Sequence, residues 1–148
     1  MDWGILGGSI GPRVRLLRNT LNAGSLVQSE PHGLPTGSLT VMSLLSANPG
    51  CSQVQLAAMA GITGPSLVGI VAELESRGLL SRERDSADRR RNMVVLTPAG
   101  REKMETLFAA VTEIEAPVRE ALGPADMATL IALLDRALAS LGTRGSTD

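Results

Sequence analysis

The sequence predicts a mainly α-helical fold that contains one small β-hairpin. Apolar residues recur at helical spacing along most of the 148 residues. After Gly78 the pattern changes to two short apolar runs around a polar loop, which is typical of a hairpin. Helical spacing returns after Thr97-Pro98 and continues almost to the end. The predicted order is therefore helix, helix, helix, helix, hairpin, helix, helix.

The first part of the chain predicts two helices joined by a loop. The first helix runs from about residue 12 to residue 28, and its start before Pro12 is not fixed by the pattern. Residues 29–37 contain Pro31, Gly33 and Pro35, which predicts a connecting loop. A short apolar helix follows over residues 39–47 and is closed by Asn48-Pro49-Gly50.

Two short helices then follow in close succession. Ser52 is a predicted N-cap, and Gly61 ends this helix where a left-handed residue is favoured. Thr63 is the predicted N-cap of the next helix, with Pro65 in its first turn. The second helix has a predicted buried stripe of Leu67, Ile70, Val71 and Leu74. Two helices joined by so tight a corner predict a helix-turn-helix.

The hairpin and the C-terminal helices complete the fold. Strands over residues 79–84 and 92–96 enclose the charged loop 85–91, and a hairpin directly after a helix-turn-helix makes the wing of a winged helix-turn-helix. Thr97 caps the next helix, and Gly123-Pro124 separates it from the last one. The apolar face of that last helix consists of Met127, Leu130, Ile131, Leu134, Leu138 and Leu141.

Composition excludes several classes of protein. A net charge of -1 and a pI near 5.8 argue against a protein that coats nucleic acid by bulk attraction. One histidine, one cysteine and no glycine-rich phosphate loop leave no catalytic residues, metal site or cofactor to propose, so we expect no enzyme. The absence of a basic leader and of a long apolar run predicts a soluble cytoplasmic protein that does not bind membranes.

Positive charge is concentrated in the hairpin and in the residues just before it. Residues 77–91 hold six arginines and three acids, a net charge of +3. Such a run is usually just a solvated turn, but its position after a helix-turn-helix favours contact with DNA. Arginine suits this role because its planar head contacts phosphates or enters the minor groove. Asp88 either orients Arg90 or serves ordinary turn chemistry.

Residues 39–100 resemble the MarR family of transcriptional regulators. The signature consists of Asp88, Arg90, Leu96, Thr97 and Gly100. The resemblance implies one domain over residues 1–148, with 37–100 as the DNA-binding lobe and with 1–36 and 101–148 as dimerisation helices and connecting loop. It further implies a homodimer that binds a palindromic operator in double-stranded DNA, more commonly as a repressor, and is released by a small aromatic or anionic effector.

By this resemblance residues 52–60 form the support helix, 63–77 the recognition helix and 85–91 the wing. The DNA-binding residues it implies are Ser52, Gln53, Thr63, Gly64, Pro65, Ser66, Val68, Gly69, Arg84, Asp88, Arg89, Arg90 and Arg91. The recognition helix departs from the family in carrying few polar side chains. Base reading therefore depends on the wing and on DNA shape, or on backbone and methyl contacts. A winged-helix module for protein partners is the alternative function.

Two further features have competing interpretations. Arg13, Arg15, Arg18 and His32 either meet an effector carboxylate or are solvated surface residues, and the arginines could also pair across a dimer. Cys51, at the start of the support helix, is either a redox sensor or, more simply, a passive small residue.

Overall fold

The computed structural model describes residues 2–29, 32–84 and 92–142. A short 3-10 helix, Gly4–Leu6, precedes the main elements, which confirm the predicted winged helix-turn-helix fold. In chain order these elements are α1 (Gly11–Ser29), α2 (Ser38–Ala47), α3 (Gln53–Ala60), α4 (Gly64–Ser76), β1 (Leu80–Arg84), β2 (Asn92–Leu96) and α5 (Pro98–Gly142). The chain forms two compact units, Met1–Thr112 and Glu113–Asp148, which are described separately.

The helix-turn-helix is built from local capping interactions. The Ser52 hydroxyl accepts the backbone N–H of Gln55, whose side-chain oxygen accepts the backbone N–H of Ser52, so the two residues form a capping box at α3. Gly61 ends α3 with φ of 64°, a conformation that favours glycine. The Thr63 hydroxyl then accepts the Ser66 N–H at the start of α4. Both predicted N-caps and the predicted corner are confirmed.

The core of the first unit lies beneath α4. All four residues of its predicted stripe are buried, and they pack with buried residues of α2, α3 and the hairpin. Met42, Leu56 and Leu74 are among the most deeply buried side chains, each stabilising the fold by about 1.5–3 kcal/mol. No single described helix is long and apolar enough to cross a membrane; α3 and α4 reach that length only as a pair, bent by 104°.

The hairpin is antiparallel and connects directly to α5. Its register runs from the pair Leu80 and Leu96 to the pair Arg84 and Asn92. The first strand begins at Leu80, one residue later than predicted, and the Leu79 carbonyl before it accepts the Thr97 N–H at 3.1 Å. The Thr97 hydroxyl also lies 2.7 Å from the Gly78 carbonyl oxygen and accepts the Gly100 N–H. The residues of the Leu-Thr-x-x-Gly pattern therefore form the junction between the hairpin and α5.

The second unit consists of the later part of α5. Gly123 interrupts the helical path with φ of 69° and ψ of 170°, which confirms the break predicted at Gly123-Pro124. Beyond it, the apolar face predicted from the sequence is largely exposed in the single chain. Leu138 is 65% exposed and Leu141 is 64% exposed. This face is available to a partner.

Candidate nucleic-acid interface

The outer face of α4 is exposed, small and uncharged. Helical neighbours are three or four residues apart, so most exposed residues lie opposite the buried stripe, and Val68 lies at the edge beside Val71. The exposed residues of the outer face are Pro65, Val68, Gly69, Ala72 and Ser76. Val68, which is 55% exposed, projects the largest flexible apolar group from it. This surface offers shape and apolar contact rather than charge.

The hydroxyls at the start of α4 bind to each other. The Thr63 and Ser66 oxygens are 2.8 Å apart, and the Thr63 oxygen also accepts the Ser66 N–H. Gly64 and Pro65, between them, carry no polar side-chain atom. The pair keeps one O–H free to donate, because one hydroxyl donates to the other. Polar contact with bases from this helix start is therefore limited.

The N-terminus of α3 offers one free polar side chain. Ser52 is half-buried and belongs to the capping box, so its hydroxyl oxygen already has a backbone partner. Gln53, the first residue of α3, is exposed. Of the two predicted DNA contacts on this helix, Gln53 has the fewer competing interactions.

Two of the arginines in residues 77–91 form ion pairs with glutamates of α4. Arg82 binds Glu75 through two nitrogens, at 2.7 and 3.1 Å, and this hydrogen bonding and charge attraction raise the pKa of Arg82. Arg77 pairs with Glu73 and donates to the Gly33 carbonyl at 2.6 Å. Neither acid lies within residues 77–91, so the net charge of +3 overstates what is available to a polyanion.

The remaining arginines of residues 77–91 are Arg84, Arg89, Arg90 and Arg91. Arg84 ends β1 and pairs in register with Asn92, the first residue of β2. The predicted contacts Asp88, Arg89, Arg90 and Arg91 lie outside the described residues, and their roles stay predictions.

The three arginines predicted for an effector site have different surroundings in the single chain, and their role stays a prediction. Arg13 lies over the Trp3 ring, 4.8 Å from its centroid, and donates to the Ser9 carbonyl at 2.6 Å. Arg18 donates to the side chain of Asn19, and Arg15 is exposed. Helical spacing places Arg13 and Arg15 on different sides of α1. Arg13 thus orders the N-terminal segment against α1.

His32 contacts α5 instead. Its Nδ1 lies 2.9 Å from the Lys103 ammonium nitrogen, and its carbonyl accepts a hydrogen bond from Arg77. An ammonium group only donates, so the Lys103 side chain is the donor of this hydrogen bond. None of the ion pairs formed by the described residues gives Lys103 a carboxylate partner. His32 and Lys103 together offer hydrogen-bond donors to an anion.

Comparison with known proteins identifies the family. The family model described as MarR family matches residues 32–91. A transcriptional repressor, CouR, solved with a 23-mer DNA duplex, is 30% identical, with a TM-score of 0.75 over 93% of this chain and 97% of that chain. The chain belongs to the MarR family.

Two other relatives of this MarR-family chain are informative. NadR, solved in complex with 4-hydroxyphenylacetate, is 29% identical, with a TM-score of 0.76 over 88% of this chain and 92% of that chain. A transcriptional regulatory protein assigned to the hcr operon of Thauera aromatica is 33% identical over 104 residues, 70% of this chain. The chain spans 63% of the length of that curated relative.

Several side-chain contacts of this MarR-family chain could not be predicted from its sequence pattern. Lys103 is 71 residues from His32, and no periodicity links them. The Glu73 and Arg77 spacing of four residues was a usable signal, whereas Glu75 reaches Arg82 across the end of α4. Cys51 is half-buried in a groove lined by uncharged side chains, and the described residues contain no cluster able to hold a metal ion.

Proposed function

We propose that this chain is a ligand-responsive transcriptional regulator, a homodimeric repressor that binds a palindromic operator in double-stranded DNA. The observation that carries the proposal is the exposed outer face of α4, presented by a capped helix-turn-helix that leads directly into a hairpin with an arginine-rich loop. The DNA-bound repressor of the same fold supports it. In this reading α4 enters the major groove and the loop 85–91 contacts the backbone or the minor groove.

The terminal segments support the dimer. Exposed apolar side chains lie near the N-terminus, where Ile5 is 101% exposed and Ile10 is 66% exposed, and along the last part of α5. Burying such surfaces against a second copy is favourable. A two-fold dimer presents two copies of α4 to the duplex about 34 Å apart, which corresponds to one helical turn and requires an inverted repeat.

The direct test is binding of the full chain to operator DNA, with the Arg90→Ala variant beside it. We expect DNA affinity to fall steeply with salt, because bound arginines release counterions. We expect Arg90→Ala to weaken binding about tenfold, since one arginine contact is lost in each half-site. Fluorescence anisotropy with a labelled duplex from upstream of the gene measures both.

Arg119→Ala is the matched control, because Arg119 pairs with Glu115 in the second unit and belongs neither to the helix-turn-helix nor to the hairpin. Its affinity should equal that of the unmodified chain. Equal affinity of Arg90→Ala and the unmodified chain would remove Arg90 of the wing from the mechanism.

A second candidate function is a winged-helix module that binds a protein partner. The uncharged outer face of α4 favours it, because protein interfaces exclude charge from their centres. Salt separates the two functions, since phosphate contacts impose a steep dependence that an apolar protein interface does not. DNA binding that is weak and depends on neither the DNA sequence nor the salt concentration would favour the protein-binding module.

For the effector, we propose an aromatic carboxylate that binds at Lys103 and His32. The NadR complex with 4-hydroxyphenylacetate supports this ligand class. We expect 4-hydroxyphenylacetate or a related acid to weaken DNA binding, and Lys103→Met to raise the concentration needed about tenfold, because the charged hydrogen bond to the carboxylate is lost. Anisotropy titrations of the bound duplex provide the measurement.

Arg101→Met serves as the control, because Arg101 is exposed on α5 and its spacing of two residues from Lys103 places it on another side of the helix. If it shifts the effector response as much as Lys103→Met does, the acid is attracted by general positive charge and the assigned site is wrong.

A further inference from the structure

We infer that Val68 selects the operator by packing against a thymine methyl group in each half-site, and that Gly69 allows the DNA to approach closely enough. The inference rests on the proposed DNA-binding function and names the base group that the recognition helix reads. Val68 is the only residue on the outer face of α4 that combines a projecting apolar group with a helix-interior position.

The side chain of Val68 is well placed for such a contact. Its 55% exposure leaves the isopropyl group accessible at the edge of the exposed face of α4, beside the buried stripe. In a helix a valine has one strongly preferred rotamer, so little side-chain entropy is lost when it is held against DNA. The flanking Pro65 and Ala72 are short and carry no competing polar group. Val68 is therefore the side chain of this face that is best suited to an apolar contact with a base.

Gly69 supplies the second observation. Glycine is less favourable than alanine inside a helix, so its presence is expected where a side chain would clash with another part of the fold. No such clash would occur at position 69, because a Cβ there would have no other atom of the protein within 4 Å. The space that the missing side chain leaves lies outside the protein, next to Val68 on the exposed face. A glycine here permits close approach of another molecule to the helix backbone.

The chemistry of base edges identifies the contact. The C5-methyl of thymine is the apolar group that the major groove of unmodified DNA presents, whereas the other edge groups are hydrogen-bond donors and acceptors. Thr63 and Ser66 already bind each other, so Val68 faces the bases with little polar assistance. Contact between an isopropyl group and a methyl group is favourable in free energy, whereas an isopropyl group that covers a polar group and leaves it without a hydrogen bond is unfavourable.

Replacing thymine by deoxyuridine, which lacks only this methyl, tests the inference. An operator duplex is substituted at one thymine position of a half-site at a time, and affinity for the full chain is measured by anisotropy. At one position we expect binding to weaken about fourfold per half-site, and about 15-fold when both are changed, the value of one buried methyl each. Val68→Ala should bind thymine and deoxyuridine duplexes equally at that position.

Val54→Ala is the matched control, because Val54 is a valine 81% exposed on α3 rather than α4. It should keep the full response to deoxyuridine. Gly69→Ala should bind operator DNA at least tenfold more weakly while its melting temperature stays the same or rises, since the added methyl collides only with DNA.

The outcomes separate this inference from the function on which it rests. Failure of the unmodified chain to bind any duplex in a sequence-dependent way overturns the proposed function. Sequence-dependent binding without a deoxyuridine-sensitive thymine, or with equal sensitivity in Val68→Ala, overturns the methyl contact alone. Full affinity of Gly69→Ala overturns the close approach at Gly69.

Discussion

Gly100→Ala is expected to lower the free energy of unfolding by about 3 kcal/mol, because the new methyl has no space. A Cβ at Gly100 would overlap the carbonyl oxygen of Leu79 and lie 2.9 Å from Leu96 Cδ2. The carbonyl is fixed, since it accepts the Thr97 N–H, so the start of α5 and the hairpin must separate. Urea unfolding followed by circular dichroism, at a fixed protomer concentration, measures the loss.

Gly64→Ala is the appropriate control for Gly100→Ala. Gly64 also lies in the first turn of a helix, but a Cβ there would meet no other atom of the protein within 4 Å. Its free energy of unfolding should stay the same or rise slightly, because alanine favours the helix. If both variants lost stability equally, the close approach to Leu79 would not be the cause.

The double variant Leu134→Glu/Leu138→Glu is expected to be monomeric and to bind operator DNA about a hundredfold more weakly. The two leucines are four residues apart on the exposed apolar face of α5. Burying two carboxylates in an interface is strongly unfavourable, and a monomer loses the gain from binding two half-sites at once. Sedimentation velocity reports the association state, and anisotropy reports the DNA affinity.

Arg136→Glu gives a control with a comparable change of charge. Helical spacing places Arg136 on the side of α5 opposite the leucine face, so this variant should remain dimeric and keep most of its affinity. A double leucine variant that still sediments as a dimer would show that the C-terminal part of α5 is not the dimer interface.

Local sequence signals predicted the helix-turn-helix closely. A cap is formed within three residues, as between Ser52 and Gln55, and a glycine with positive φ, such as Gly61, is recognisable on its own. The buried stripe of α4 followed from helical spacing, because one face of a surface helix must be apolar. These features need no knowledge of distant parts of the chain.

Interactions between distant residues could not be predicted in the same way. The arginine count treated Arg77 and Arg82 as available, although both bind acids of α4. The contact between His32 and Lys103 depends on how the loop before α2 meets α5. The contact between Arg13 and Trp3 depends on the conformation of a glycine-rich segment, which the sequence pattern does not determine. Side-chain partners across the fold are set by tertiary packing, which periodicity does not encode.

The Thr97 hydroxyl, which lies 2.7 Å from the Gly78 carbonyl oxygen, has a mechanical consequence. Together with the Thr97 N–H bond to Leu79, it clamps the residues that follow α4 to the first turn of α5. The end of α4 and the base of the hairpin are therefore tied to the first turn of α5 by the same residue. We expect a displacement of the start of α5 to move α4 and the hairpin base together, which in the proposed dimer would change the distance between the two copies of α4.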